Sequence, residues 1–185
     1  MARIVADDRK FKDLILYVAE RCADDGSFGA TKLNKILYYS DFLAYGNFGR
    51  PITGQPYFRL PQGPAPKYLK KIQAEMVEDA EVELVQTPRY VFQQIRTIPC
   101  RKADLAAFTA DEIALVDEVI DALGPLNASQ ASELSHRMSL GWQIVEDREE
   151  IPYSTIFLSD EVPDEEHEAR IIDLARQHGW LERFA

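Results

Sequence analysis

Apolar residues recur at helical spacing close to the start of the chain. Phe11, Leu14, Ile15, Val18, Ala19 and Cys22 form one stripe, with Asp7 or Asp8 placed to cap its first amides and Gly26 beyond its end. The pattern predicts an amphipathic first helix. Thr31 can cap a second, whose stripe is Leu33, Ile36, Leu37, Ser40 and Ala44 and which ends near Gly46 or Gly49. Its other face carries Tyr38, Phe42 and Tyr45 beside Asp41. A helix that is apolar nearly all round belongs at the centre of a fold or in an interface.

Glycine and proline punctuate the next segment, at Gly46, Gly49, Pro51, Gly54, Pro56, Pro61, Gly63, Pro64 and Pro66. Loops of such length in compact domains are functional or disordered. The interleaved Tyr57, Phe58 and Leu60 argue for an ordered loop with an extended piece at residues 57–60. Pro66 suits the first turn of a third helix, ending near Ala80, with Leu69, Ile72, Met76 and Val77 inward and Lys67, Lys70 and Lys71 outward. Residues 82–85 and 90–98 are rich in β-branched and aromatic side chains, and Thr87-Pro88-Arg89 separates them, which predicts an antiparallel hairpin. Thr109-Ala110-Asp111-Glu112 is a capping box ahead of a helix that stops at Gly124-Pro125. Asn127 or Ser129 opens a short helix to about His136, a further turn surrounds Trp142, and an extended stretch leads to Leu158. A last helix starts near Asp164. The expected fold class is α+β: a predominantly α-helical single domain with one small antiparallel β-hairpin. Residues 1–158 form the domain, and residues 159–185 an acidic helix packed on it or appended to it.

At 185 residues and 46% hydrophobic composition the chain can bury a real core, which excludes a disordered class. The longest apolar run, Leu14 to Ala19, is too short to span a bilayer, and the polar start lacks a signal-peptide core, so a cytoplasmic location is expected. Cys22 and Cys100 are too few for a disulfide framework and are expected as buried thiols. The net charge of -10 disfavours nucleic acid, but its distribution is uneven. Residues 31–72 hold seven basic side chains and one acid, a net +6, whereas residues 145–185 hold twelve acids and four arginines, a net -8. The chain is bipolar.

Candidate chemistry is sparse. His136, His167 and His178 stand at no metal-ligand spacing, so neither metal nor cofactor is expected. Ser135 and His136 are sequence neighbours, no nucleophile elbow exists, and nothing selects a catalytic pair among the carboxylates. The glycines do not form a phosphate-binding loop. Aromatics interleaved with Lys and Arg could read nucleic acid by stacking and phosphate contact. Against this, the connection at residues 23–30 is longer than that of a helix-turn-helix. A basic patch that docks an acidic protein surface accounts for the same residues.

Thr31-Lys32-Leu33-Asn34-Lys35-Ile36-Leu37-Tyr38-Tyr39-Ser40-Asp41, then Gly49-Arg50-Pro51-Ile52-Thr53-Gly54, then Leu60-Pro61-Gln62-Gly63-Pro64-Ala65-Pro66 together resemble the signature of the Panacea domain of SocA-like antitoxins. Ser135-His136, Trp142 and Ile151-Pro152-Tyr153 resemble its weaker C-terminal landmarks. The strong part of the resemblance covers residues 31–66 and a diffuse part reaches about 158. Gln62 departs from the common pattern, in which an aromatic or aliphatic residue often precedes Gly-Pro. The resemblance implies a non-enzymatic antitoxin, bacterial or phage-associated, that neutralises a cognate toxin protein by direct contact. One branch resembles a protease adaptor that delivers its toxin to an AAA+ protease. On this reading Leu33, Leu37, Gly49, Gly54, Gly63, Pro64, His136, Trp142 and Pro152 are structural landmarks, and Tyr38, Asp41, Tyr45, Arg50, Arg59, Lys67 and Lys70 are the candidate partner contacts. Self-association stays open. The alternatives are a DNA-binding regulator of its own operon and, behind it, an enzyme with an unrecognised site.

Overall fold

A computed structural model describes residues 4–89, 92–160, 169, 170 and 173 of the chain. Asp7 starts the first helix, α1 (Asp8–Arg21), by accepting the Lys10 amide at 2.9 Å, and the expected stripe from Phe11 to Ala19 is buried. The second helix, α2 (Ala30–Phe48), begins one residue before Thr31, with Gly29 as its cap. The reason is space: a Cβ at residue 29 would lie 2.9 Å from Gln94 Cγ, so the chain enters the helix pressed against a strand, where only glycine fits. Gly49, at φ 72°, ends the helix. Ten of its residues, from Lys32 to Ala44, are buried, and they face every direction around its axis. It packs against α1 and against the segments Gly63–Pro66, Phe92–Pro99, Ala110–Leu123, Ala128–Met138 and Tyr153–Phe157. This helix is the centre of the fold.

The glycine- and proline-rich segment is a hairpin, where a loop with one extended piece was expected. Strand β1 (Tyr57–Leu60) pairs antiparallel with β2 (Gly63–Pro66) across a two-residue turn. Pro64 and Pro66 sit opposite Arg59 and Tyr57, the positions of such a hairpin whose backbone nitrogens point away from the partner strand, so the ladder loses no donor to them. Residues 148–151 line the other edge of β1: the Arg59 amide donates to Glu149, Arg148 to Arg59, and Ile151 to Tyr57, at 2.8–3.0 Å. β1 is therefore a central strand with a neighbour on each side.

Pro66 closes β2 and does not open the third helix, α3 (Leu69–Glu78), which buries Leu69, Ile72, Gln73 and Met76. Val77, expected inward, is exposed because it lies beyond the edge of that stripe. Strands β3 (Val82–Arg89) and β4 (Phe92–Pro99) make the expected hairpin, but β3 runs on through Thr87-Pro88-Arg89, which pair with Gln94, Gln93 and Phe92. The root of this hairpin is held on both faces: Gln73 donates to Thr97 at 2.8 Å, and Arg96 donates to the carbonyls of Ala23 and Asp25 at 2.8 and 2.9 Å.

After a 3₁₀ turn at Leu105–Ala107 come α4 (Ala110–Leu123), α5 (Ala128–Met138) and α6 (Leu140–Ile144). The Thr109–Glu112 capping box is present, and Asn127 with Gln130 forms a second. Residues 153–157 form a 3₁₀ turn in place of the expected extended stretch, because Tyr153 folds inward: its hydroxyl donates to Gln55 at 2.6 Å and its ring stacks on Phe42 at 4.6 Å. Ala169, Arg170 and Asp173 are helical. The remainder of the expected acidic C-terminal helix, with His167 and His178, lies outside the described residues. The domain is α+β and mainly helical, with two small antiparallel sheets among the described residues. None of the described helices is long and apolar enough to cross a membrane. Cys22 is buried, and burial pushes its thiol up to about 11, whereas Cys100 is exposed at the end of β4, contrary to expectation.

Charged contacts tie the helices together. Glu112 closes its capping box and also accepts from Lys10 of α1 at 2.8 Å, with both side chains largely buried. One oxygen of Glu112, Oε2, accepts from both the Thr109 amide and Lys10, so Glu112→Gln can retain that acceptor but removes the negative charge that the largely buried Lys10 ammonium pairs with. The substitution is expected to lower the unfolding free energy by about 3 kcal/mol, against about 1 kcal/mol for Thr109→Ala, measured by urea denaturation.

Candidate functional site

Lys32, Lys35 and Asp41 are polar residues on a helix without a polar face, so each must find its partners inside the protein. Lys32 Nζ pairs with Asp25 and donates to Ser27 Oγ at 3.2 Å and the Gly124 carbonyl at 3.0 Å, joining the α1–α2 connection to the end of α4. Lys35 Nζ donates to the Gln62 and Pro64 carbonyls at 2.5 and 3.1 Å and so fixes the β1–β2 turn. Gly63, at φ 96°, leaves room for this contact; a Cβ there would strike Lys35 and Ser135. No carboxylate among the described residues pairs with Lys35, and burial pushes its ammonium down to about 7.

Asp41 is fully buried. Its carboxylate accepts the Thr53 amide at 2.6 Å, the Thr53 hydroxyl, and the Tyr57 hydroxyl at 2.7 Å. Burial raises its pKa while these bonds pull it down, with burial the stronger. The Gly49–Gly54 turn is thereby wound around the end of α2, and the Thr53 carbonyl in turn accepts the Asp7 amide at 2.8 Å.

This arrangement corrects two of the expected contact residues. Asp41 and Tyr38 lie inside, the Tyr38 hydroxyl being 2.6 Å from Ser139 Oγ and its ring 4.2 Å from Phe42, so neither offers surface to a partner. Tyr45 is half-buried beside Tyr153 and Phe157. Arg50 is exposed, 3.7 Å from Glu112. Arg59 is half-buried, with Nη1 donating to the Val145 carbonyl at 2.6 Å and its guanidinium 4.7 Å from the centre of the Trp142 ring. Lys67 is exposed over the rings of Phe58 and Tyr68, at 4.6 and 5.2 Å, and Lys70, three residues on, is exposed. Two of the seven cations in the basic segment are thus internal, and the surface charge is carried by Arg50, Arg59, Lys67, Lys70 and Lys71.

Among the landmark residues, Leu33 and Leu37 belong to the core, Gly49, Gly54 and Gly63 have positive φ, Pro64 is buried in β2, and Pro152 precedes the last 3₁₀ turn. His136 and Trp142 are brought together, their rings 4.1 Å and 11° apart. Sequence reasoning missed the inward lysines. The signal was available: Lys32, Lys35 and Asp41 interrupt a helix whose apolar residues leave no side facing water.

Among the described residues, no group of three His, Cys, Asp or Glu side chains is placed to hold a metal ion. The hollow bounded by Arg9, Lys12, Asp13, Glu81, Arg101 and Asp104 is occupied by ion pairs among its own walls, such as Arg101 with Asp13 at 2.6 Å and with Glu81 at 2.7 Å. It is a solvated charge network.

Residues 33–143 match the family model described as antitoxin SocA-like, Panacea domain. No curated protein and no solved structure matches the chain.

Two substitutions report on the inward charges. Asp41→Asn places an amide N–H where the Thr53 and Tyr57 hydroxyls now donate, so both must turn their protons away and the bonds to a charged acceptor are lost, which is expected to cost about 1.5–3 kcal/mol in unfolding free energy. For Lys35, the folded chain releases the proton near pH 7 and the unfolded chain near 10.5. Between these values the unfolded chain binds more protons, so stability rises with pH, by at most about 1.4 kcal/mol per unit. Lys35→Met removes that rise, so the stability difference between wild type and variant shifts in favour of wild type from pH 7 to pH 10 in urea titrations. A difference that stays constant over that range overturns the assignment.

Proposed function

We propose that this chain, which belongs to the antitoxin SocA-like, Panacea-domain family, acts in the cytoplasm by binding a toxic protein directly and neutralising it. The family match carries the reading, since it spans the second helix, the glycine- and proline-rich hairpin and the basic segment after it. The exposed side chains of that region suit protein contact. Arg50 follows the end of α2, half-buried Arg59 lies on β1, and Lys67, Tyr68, Lys70 and Lys71 surround the start of α3, which packs on α1 and β3, so the backbone that carries them is already ordered when a partner docks. Their charge suits an acidic partner surface.

The test is co-expression with the neighbouring open reading frame, scored by rescue of growth and co-purification. Rescue accompanied by a shortened toxin half-life, dependent on a host AAA+ protease, assigns the adaptor mode; rescue with toxin levels unchanged assigns direct blockade. A chain that shifts its own promoter DNA with steep salt dependence, and rescues nothing, supports the regulator instead.

The triple variant Lys67→Glu, Lys70→Glu and Lys71→Glu is expected to weaken neutralisation, with toxin affinity reduced roughly tenfold or more. Its unfolding free energy should change by less than about 1 kcal/mol, because the three side chains are exposed. Unchanged affinity removes this patch from the contact.

A further inference from the structure

Aromatic, basic and apolar side chains converge at a second place, where the end of β1 meets α6 and the last turn of α5. Trp142 is its centre. The indole Nε1 donates to the Leu60 carbonyl at 3.0 Å, the ring stacks on His136, and the Arg59 guanidinium lies against it. Gln143 Nε2 donates to the His136 and Arg137 carbonyls at 2.9 and 3.2 Å, which ties α6 to the end of α5. The Ser139 hydroxyl accepts the Trp142 amide at 3.1 Å. The platform is held by contacts within the chain itself.

The charges here are unbalanced. Arg9, Lys10, Lys12, Arg21, Lys32, Arg101 and Lys102 each have a carboxylate within 4 Å. Among the described residues, none pairs with Arg59, Lys35 or His136. Burial, Lys35 and Arg59 all hold His136 toward its neutral form, and Glu133 is the one acid that acts against them. Its Nε2 is buried without a hydrogen-bond partner among the described residues. Buried nitrogens in folded proteins seldom remain so.

Arg59 supplies the directional element. Nη1 is committed to the Gln143 and Val145 carbonyls, which fixes the plane of the guanidinium. Its Nε and Nη2 have no partner among the described residues, and this is the edge that grips a carboxylate through two parallel bonds. Leu60, Met138 and Ile144 lie within two residues of the stack along the chain and are exposed, Met138 by 63% and Ile144 by 64%. Arg and Trp at the centre with apolar neighbours around them is the composition of an interface hot spot.

The geometry points to this platform as the seat for an acidic side chain of the partner protein, gripped by the free edge of Arg59 over Trp142 and flanked by apolar residues that meet Leu60, Met138 and Ile144. The assignment rests on the proposed function only in taking the partner to be a protein. A single fork beside exposed aliphatic side chains suits one carboxylate in an apolar setting better than a run of phosphates.

The test titrates the full-length, ¹⁵N-labelled chain with the capped peptide acetyl-Ala-Leu-Glu-Leu-Ala-amide, its Glu→Gln counterpart and a ten-nucleotide oligothymidylate. The Glu peptide is expected to shift the Trp142 indole N–H and Arg59 Nε–H resonances with about tenfold greater affinity than the Gln peptide, which is the worth of one charge-assisted pair. Arg59→Lys, which keeps the charge and loses the fork, should remove that preference. Equal binding of the two peptides to wild type, or shifts confined to residues 67–71, overturns the proposal, and needs no variant to fold. Tighter binding of the oligonucleotide at Trp142 overturns it in favour of a phosphate site. None of these outcomes depends on growth rescue, so failure of the toxin reading and failure of this site are separately visible.

Discussion

Lys32, Lys35 and Asp41 are withdrawn from water on a single helix, and the rest of the molecule is arranged around the bonds that make their burial tolerable. Removing a charge from water costs several kcal/mol even after a protein relaxes around it. Each of the three recovers that cost by gripping a segment that would not hold its own shape. Asp41 takes the amide and hydroxyl of Thr53 and the hydroxyl of Tyr57; Lys35 takes the carbonyls on either side of Gly63; Lys32 takes the end of α4 and the loop before α2. Residues 49–66 contain glycines that favour an open chain and prolines that lack donors. Without α2 as a template they have little reason to fold. Helix and hairpin therefore form one unit, and residues 148–151 complete it by adding backbone bonds to β1.

This dependence accounts for what could be read from the sequence. Features that lie within one turn were legible: the Thr109–Glu112 capping box and the α1 stripe need only residues three or four positions apart. Strand β2 was not, because Gly63-Pro64-Ala65-Pro66 contains no β-forming residue and becomes a strand through its pairing with β1 and the grip of Lys35. The third strand-like neighbour at 148–151 lies some ninety residues away in sequence, and no local pattern announces it. The end of β3 was misplaced for a related reason: Pro88 looks like a turn residue, yet a two-stranded arm has an outer edge on which proline costs no bond.

The candidate contacts divide along the same line. The aromatic second face of α2 fitted either a core or an interface, and the choice turned on whether the glycine- and proline-rich segment lay over it. It does, so Tyr38 and Asp41 serve the scaffold and Arg50, Lys67 and Lys70 remain at the surface. Arg59 and Trp142 had each been singled out separately, one for its charge and one as a landmark. Their contact could not be foreseen, because it requires β1 to run between β2 and residues 148–151, which brings Arg59 over α6.

The charge of the basic segment takes a different meaning once its members are placed. A count of +6 suggests a broad positive field, but two of its lysines are internal and Arg50 and Lys71 lie near Glu112 and Glu75. In a chain of net charge -10, what remains is a few separated cations on a negative background. Such a surface steers an acidic partner weakly at long range, since repulsion from the whole molecule opposes the local attraction. Discrimination must then come at contact, from groups held in fixed geometry. Charge is strongest as a specificity element where a planar fork is already oriented and its surroundings are partly dry. Arg59 meets both conditions, with one nitrogen fixed by carbonyls and its guanidinium against an indole; the exposed lysines of residues 67–71 offer point charges without a fork.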